Sequence, residues 1–154
     1  MRRGASRAAV VCVGNELMAD DGVGPAVHRR LLAAPLPRGS RLHLVGTCGL
    51  DLLEVLDGEE LLIVVDALTL GAPPGTLHLL AETDLPRGRG MGTHAGDLAG
   101  TLAAGRRLDP DRVPARVLIL GIEGAVFDRV GESMSPAVSA RIDELVAAIW
   151  GHLE

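Results

Sequence analysis

The sequence predicts an α/β domain built on a mostly parallel sheet, and three observations carry that expectation. Two runs, AAVVCV at Ala8–Val13 and LLIVVD at 61–66, are apolar without alternation, the pattern of strands buried on both faces. Between the strands, apolar residues fall at helical spacing, so strand and helix alternate as a parallel sheet requires. The connection that follows Asp66, ALTLGAPPG, is too short for a helical crossover, so the strand after it should run antiparallel, at an edge.

In order, Ala8–Val13 is the first strand and residues 23–34 the first helix, with Val23, Val27 and Leu31 on one stripe, Ala26 beside them and Pro35 closing it. Residues 41–46 (RLHLVG) alternate as a second strand, and 50–56 form a short helix that ends before Gly58. The third strand, 61–66, ends abruptly in Asp66, which places that carboxylate at the tip of a central strand. Residues 76–81 make the antiparallel strand. A Gly- and Arg-rich loop then leads to Thr93 as a helix cap and to a helix of small residues over 94–104, with His94 at its first position. Residues 113–120 carry the fifth strand (RVLIL), followed by a long connection over 121–134. A last helix opens with Ser135 as cap and Pro136 at its first position, and carries a stripe of Val138, Ile142, Leu145, Val146 and Ile149.

At 154 residues with 47% hydrophobic and 23% charged composition, residues 1–154 fit one domain with one aliphatic core, since Phe127 and Trp150 are the only aromatics. A net charge of −5 and scattered Arg residues supply no basic face for nucleic acid, and no stretch approaches a membrane span. All 15 basic residues are Arg and Tyr is absent, which removes Schiff-base lysines, phosphate-loop lysines and phenolic acids. Catalysis is left to carboxylates, His, Cys, Ser or a metal. Cys12 and Cys48 have neither disulfide nor metal spacing and read as reduced, buried residues of a cytoplasmic protein. The basic tip at Arg2-Arg3 before residues 8–13 is not read as a signal peptide, because the apolar run is too short.

Chemistry concentrates at VVCVGNELMADDGVG, where a strand enters a Gly-rich turn bearing Asp20 and Asp21. If the first and third strands are parallel neighbours, Asp21 and Asp66 share the rim at the carboxyl ends of the strands, and His94 can join them. Two carboxylates and an imidazole with open positions suit a divalent first-row metal, resident or brought by a substrate. Each Asp read alone is equally a cap or turn residue, and Glu16 and Glu123 are rival ligands on the same rim. His28, His43, His78 and His152 fall within regular elements and are expected to be solvated or hydrogen-bonded. The chain has no G-x-S-x-G elbow, no sequence feature gives Cys48 a base, and the acidic loop would repel a dinucleotide pyrophosphate.

Taken in order, VGNELMADDGVGPAV, GTCGLDLLEVL, LLIVVDAL, PPGTL, THAGDL and GIEG resemble the blocks of the NiFe-hydrogenase maturation endopeptidases over most of the chain. The first block is the specific one. The resemblance implies a three-layer α/β/α sandwich with a mixed five-stranded sheet. It also implies an endopeptidase that removes a C-terminal extension from the hydrogenase large-subunit precursor once nickel is installed. The family's nickel-binding trio falls on Asp21, Asp66 and His94, with the nickel carried by the precursor. Asp21 is then the ligand of the acidic pair, Asp20 supports the loop, and Glu16 holds a position that the family fills variably. The partner expected is that precursor, met by a monomer in the cytoplasm. Two other readings use the same residues: a non-catalytic nickel carrier, and a peptidase of this fold with another substrate.

Overall fold

The structure, a computed structural model, describes residues 7–85 and 98–154. Five strands form one sheet: β1 (Ala8–Val13), β2 (Ser40–Val45), β3 (Leu61–Leu68), β4 (Leu77–Ala81) and β5 (Arg116–Glu123), in the order β2-β1-β3-β5-β4. β1 is parallel to both β2 and β3, β3 is parallel to β5, and β4 pairs antiparallel with β5 at the edge, as the short connection requires. From β1 the chain steps one way to β2, then crosses back to β3 on the other side. The carboxyl ends of β1 and β3 therefore border the crevice where open α/β sheets place their ligands.

The helices are α1 (Val23–Leu32), α2 (Leu50–Val55), α3 (Leu98–Leu108), α4 (Pro136–Ser139) and α5 (Ile142–Leu153). Strand periodicity sorts the core into two layers. Val10, Cys12, Ile63, Val65, Leu120 and Ile122 face α1, α4 and α5, and pack on Val27, Leu31, Ile142 and Ile149. Val11, Val13, Leu62, Val64, Leu68 and Ile119 face α2 and α3, and pack on Leu52 and Leu102. β1 and β3 are buried along their whole length, which is why they read as unbroken apolar runs. The result is the expected three-layer sandwich.

Four elements differ from the sequence reading. α3 runs to Leu108, four residues past the end expected at Ala104. β5 continues through Gly121 to Glu123, residues assigned above to the following connection. The last helix is two, broken at Ala140 and Arg141, although Val138, Ile142, Leu145 and Ile149 still form one buried stripe. β3 runs two residues past Asp66, so this carboxylate lies inside the strand and not at its tip. The start of the helix expected at His94 lies outside the described residues. Among those described, no helix is long and apolar enough to cross a membrane.

Candidate active site

The loop after β1 folds back on itself. Gly14 has φ +143, and a Cβ there would stand 2.2 Å from the Asp21 carbonyl oxygen, so only glycine allows this closure. The Asn15 amide donates to the Asp21 carbonyl at 3.2 Å and to the Asp21 carboxylate Oδ2 at 2.8 Å. Asn15 Oδ1 in turn accepts from the Leu17 amide at 3.0 Å. A 3-10 turn, Ala19–Gly22, then carries both acidic side chains inward, leaving Asp20 and Asp21 0% and 1% exposed. Ala19 takes a left-handed backbone, φ 50, to make that turn.

Asp20 and Asp21 have different surroundings. The Asp20 carboxylate accepts from the amides of Ala125, Val126 and Ser135 at 2.8, 2.9 and 2.6 Å, and from the Ser135 hydroxyl at 2.8 Å. The Asp20 amide donates to the Val126 carbonyl at 2.9 Å. Burial by itself would raise this carboxyl's pKa, but the four hydrogen bonds together outweigh it and hold it below the ordinary carboxylate value. Asp20 thus fastens the β1–α1 loop to the β5–α4 loop, in the supporting role expected of it. Ser135 is the residue before α4, as expected, but its hydroxyl serves Asp20 and makes no cap bond.

Asp66 lies in β3 on the α2/α3 side, between Val64 and Leu68 in that face's register, and is 2% exposed. Its Oδ1 accepts from the Ala67 amide at 2.8 Å, while Oδ2 is buried with no hydrogen-bond partner among the described residues. Its pKa stands well above the usual carboxylate range, chiefly through burial, then through the negative charge of Asp21, with the Ala67 amide opposing both. The two carboxyl groups are therefore close enough to act on each other. A buried, half-satisfied acid beside a second carboxylate favours a proton or a cation, since either removes the repulsion and fills the empty acceptor.

The remaining candidates divide. His94 lies outside the described residues, and among those described no three His, Cys, Asp or Glu side chains are grouped to hold a metal ion. Glu16 is exposed and ion-paired with Arg29 at 2.7 Å. Glu123 is buried, and its carboxylate accepts from the Leu70 amide at 2.9 and 3.0 Å and from the Ala72 amide at 3.2 Å. His78 Nε2 lies 3.1 Å from Glu123 Oε1, so this pair organises the loop after β3. Cys48 is buried, and burial followed by the charge of Asp66 pushes its thiol far up, which disfavours a thiolate nucleophile. Cys12 is raised to about 12 for the same two reasons. Sequence reading missed buried Glu59, which accepts from Arg41 at 3.1 Å and from the Asp57 amide at 2.9 Å; Arg41 at the edge strand was its one local signal.

The structure is thus a three-layer α/β/α sandwich with two buried carboxyl groups beside the switch point of its sheet. Comparison with known proteins then gives the family. The model of the HycI hydrogenase maturation protease family matches residues 41–152. The hydrogenase expression/formation protein HupD of Rhodobacter capsulatus is 34% identical over 145 residues, covering 92% of this chain and 68% of that protein. HupD of Thiocapsa roseopersicina is 30% identical, covering 86% and 61%. The chain thus spans about two thirds of the length of these relatives. Among solved structures, the hydrogenase maturating endopeptidase HybD from E. coli superposes with TM-score 0.79 at 24% identity, covering 96% of this chain and 91% of that one. HybD from Thermococcus kodakarensis does so with TM-score 0.73 at 22% identity, covering 96% and 99%, and the two share the fold. The chain belongs to the hydrogenase maturation protease family.

Proposed function

We propose that this protease removes the C-terminal extension of a NiFe-hydrogenase large-subunit precursor after nickel insertion, acting as a monomer in the cytoplasm. It recognises the nickel held by that precursor through Asp21, Asp66 and His94. The observation that carries the reading is the buried Oδ2 of Asp66, which has no hydrogen-bond partner among the described residues and stands under the field of Asp21. An orphaned acceptor inside a strand is costly, and a divalent ion delivered by the substrate would satisfy it. Oxygen and imidazole donors are harder than thiolates, so they can complete the sphere of a nickel ion without extracting it from a sulfur-rich site.

Recognition by ligand bonds also explains selectivity. A precursor without metal would leave the buried Asp66 Oδ2 without that ligand bond, a larger difference than one or two peptide contacts supply. Hydrolysis adds water across the peptide bond: hydroxyl to the carbonyl carbon, and a proton to the departing amine. Burial and the charge of Asp21 both favour a cation beside Asp66, and Asp21 or Asp66 accepts a proton from the attacking water and passes it to the departing amine. Asp20 and Asn15 keep Asp21 in place while this happens.

The test is a processing assay with purified nickel-loaded precursor, read by the mass loss of its C-terminus. Asp21→Asn, Asp66→Asn and His94→Ala should each reduce cleavage at least about a hundredfold, the scale on which an essential acid, base or ligand is lost. Retention of near wild-type cleavage by any of the three removes that residue from the trio.

A further inference from the structure

Among the described residues, cavities lie on two sides of the loop that carries Asp21. One is lined by Gly14, Asn15, Pro25, His28, Leu44 and Gly46, with Glu16, Arg29 and Thr47 around it, and has a volume of about 550 Å³. It opens over the carboxyl ends of β1 and β2, along the first turns of α1. Gly14 and Asn15 line it, and the Asn15 amide binds the Asp21 carboxylate, so it adjoins the loop that carries the candidate active site. Its walls are mixed. Leu44, 46% exposed, and Pro25 form an apolar side, whereas Arg29 and Glu16, ion-paired at 2.7 Å, place a donor and an acceptor on the other.

We propose that this crevice is the subsite that receives the extended stretch of precursor polypeptide adjoining the scissile bond. The inference rests on the function proposed above and names where its substrate lies. An endopeptidase must hold chain on at least one side of the bond that it cuts, and an extended chain brings both amide donors and carbonyl acceptors that need partners. The Arg29–Glu16 pair offers one group for each, and the exposed Leu44 accepts an apolar side chain. Other cavities fit less well. One lies at the opposite, amino ends of the strands, lined by Arg7, Leu61, Arg116 and Glu154, and another is an apolar pocket between α2 and α3 around Leu53 and Gly105. Neither touches the loop of Asp21, and the second cavity that does, about 350 Å³ around Leu17, Ala19, Gly22 and Met134, does not reach Asn15, whose amide holds the Asp21 carboxylate. The occupant follows from the crevice's position beside the loop of Asp21, shared through Asn15, and from its volume, which lies in the range of sites that enclose a ligand.

Gly46 makes the proposal testable. A Cβ built there meets nothing within 4 Å, so a large side chain can enter the crevice without disturbing the core. Gly151 on α5 is equally open and remote, and serves as control. With nickel-loaded precursor, Gly46→Trp should raise KM roughly tenfold or more, with kcat within about twofold of wild type. Gly151→Trp should change neither, and both variants should melt like the wild type. A synthetic peptide spanning the precursor's extension and the residues before the cut should shift the backbone NMR signals of Gly46, Thr47 and His28 in the wild-type protein. An unchanged KM in Gly46→Trp, or peptide-induced shifts confined to other surfaces, overturns the proposal. Failure of the wild type to cleave any precursor would instead refute the assigned substrate, a different result in the same assay.

Discussion

Asp20→Ala removes one acceptor from four donors at once: the amides of Ala125, Val126 and Ser135 and the Ser135 hydroxyl. A hydrogen bond to a charged group contributes about 1.5–3 kcal/mol, and breaking a buried charged network by deleting one partner costs about 3–5 kcal/mol. Water can reach the Ala125 amide once the carboxylate is gone, because that residue is exposed, so the lower half of the range applies: about 3 kcal/mol at pH 7. For a chain of this size that corresponds to a fall in melting temperature of about 6–12 °C. The pH dependence has a definite sign. The folded-state pKa of Asp20 is below its unfolded value, so its contribution is full above the unfolded carboxylate pKa near ~3.9 and disappears as pH falls through the folded value. Urea denaturation of both proteins at pH 7, and again at successively lower pH, measures this directly. A difference under about 1 kcal/mol at pH 7, or one that does not shrink in acid, would refute the role given to Asp20.

Asp66→Asn should abolish processing yet stabilise the fold, because ionising the native carboxyl is opposed by burial and by Asp21. The folded pKa is raised, so the wild type loses stability as pH climbs through the unfolded pKa towards the folded one; the variant's advantage, about 1 kcal/mol, should appear at neutral pH in calorimetry and vanish below about pH 4. Cys48→Ala should retain cleavage and lose about 1–2 kcal/mol of stability from its lost packing, because this buried thiol is pushed away from thiolate formation. Loss of processing in Cys48→Ala but not in His94→Ala would replace the carboxylate scheme with a thiol one.

Much of the architecture was legible because of where the strands lie. β1 and β3 are covered on both faces, so burial demands an uninterrupted apolar run, and their shortness and β-branched content mark them as strands. The end of β5 was hidden because Gly121 resembles a break. In the sheet it pairs with Asp66 of the neighbouring β3, where a Cβ would stand 2.4 Å from the Asp66 carbonyl oxygen and 2.8 Å from the Leu68 side chain. Close backbone approach, not a turn, requires that glycine. The break after α4 was equally hidden, since the buried stripe continues in phase across it.

The acidic pair was legible for a topological reason: a loop after the first strand and a residue near the end of its parallel neighbour meet at the switch point. Depth was not. Asp66 read as a strand-tip residue because a charge inside a strand is expensive, and the structure places it there half-satisfied, the kind of local inconsistency that functional sites show. The partners of Asp20 lie 105 to 115 residues away, so no spacing could have announced them. Glu123 looked like a rival ligand for the opposite reason, since its loop-holding contacts to Leu70 and Ala72 cross 53 and 51 residues.

The central claim is that this protease reads the nickel on its substrate. The direct measurement is to incubate the purified protein with nickel-loaded and with nickel-free precursor, and to follow the precursor's C-terminus by mass spectrometry. The account predicts loss of the extension from the loaded precursor alone, with the nickel-free form cut at least about a hundredfold more slowly. Cleavage of both forms at the same rate would contradict it.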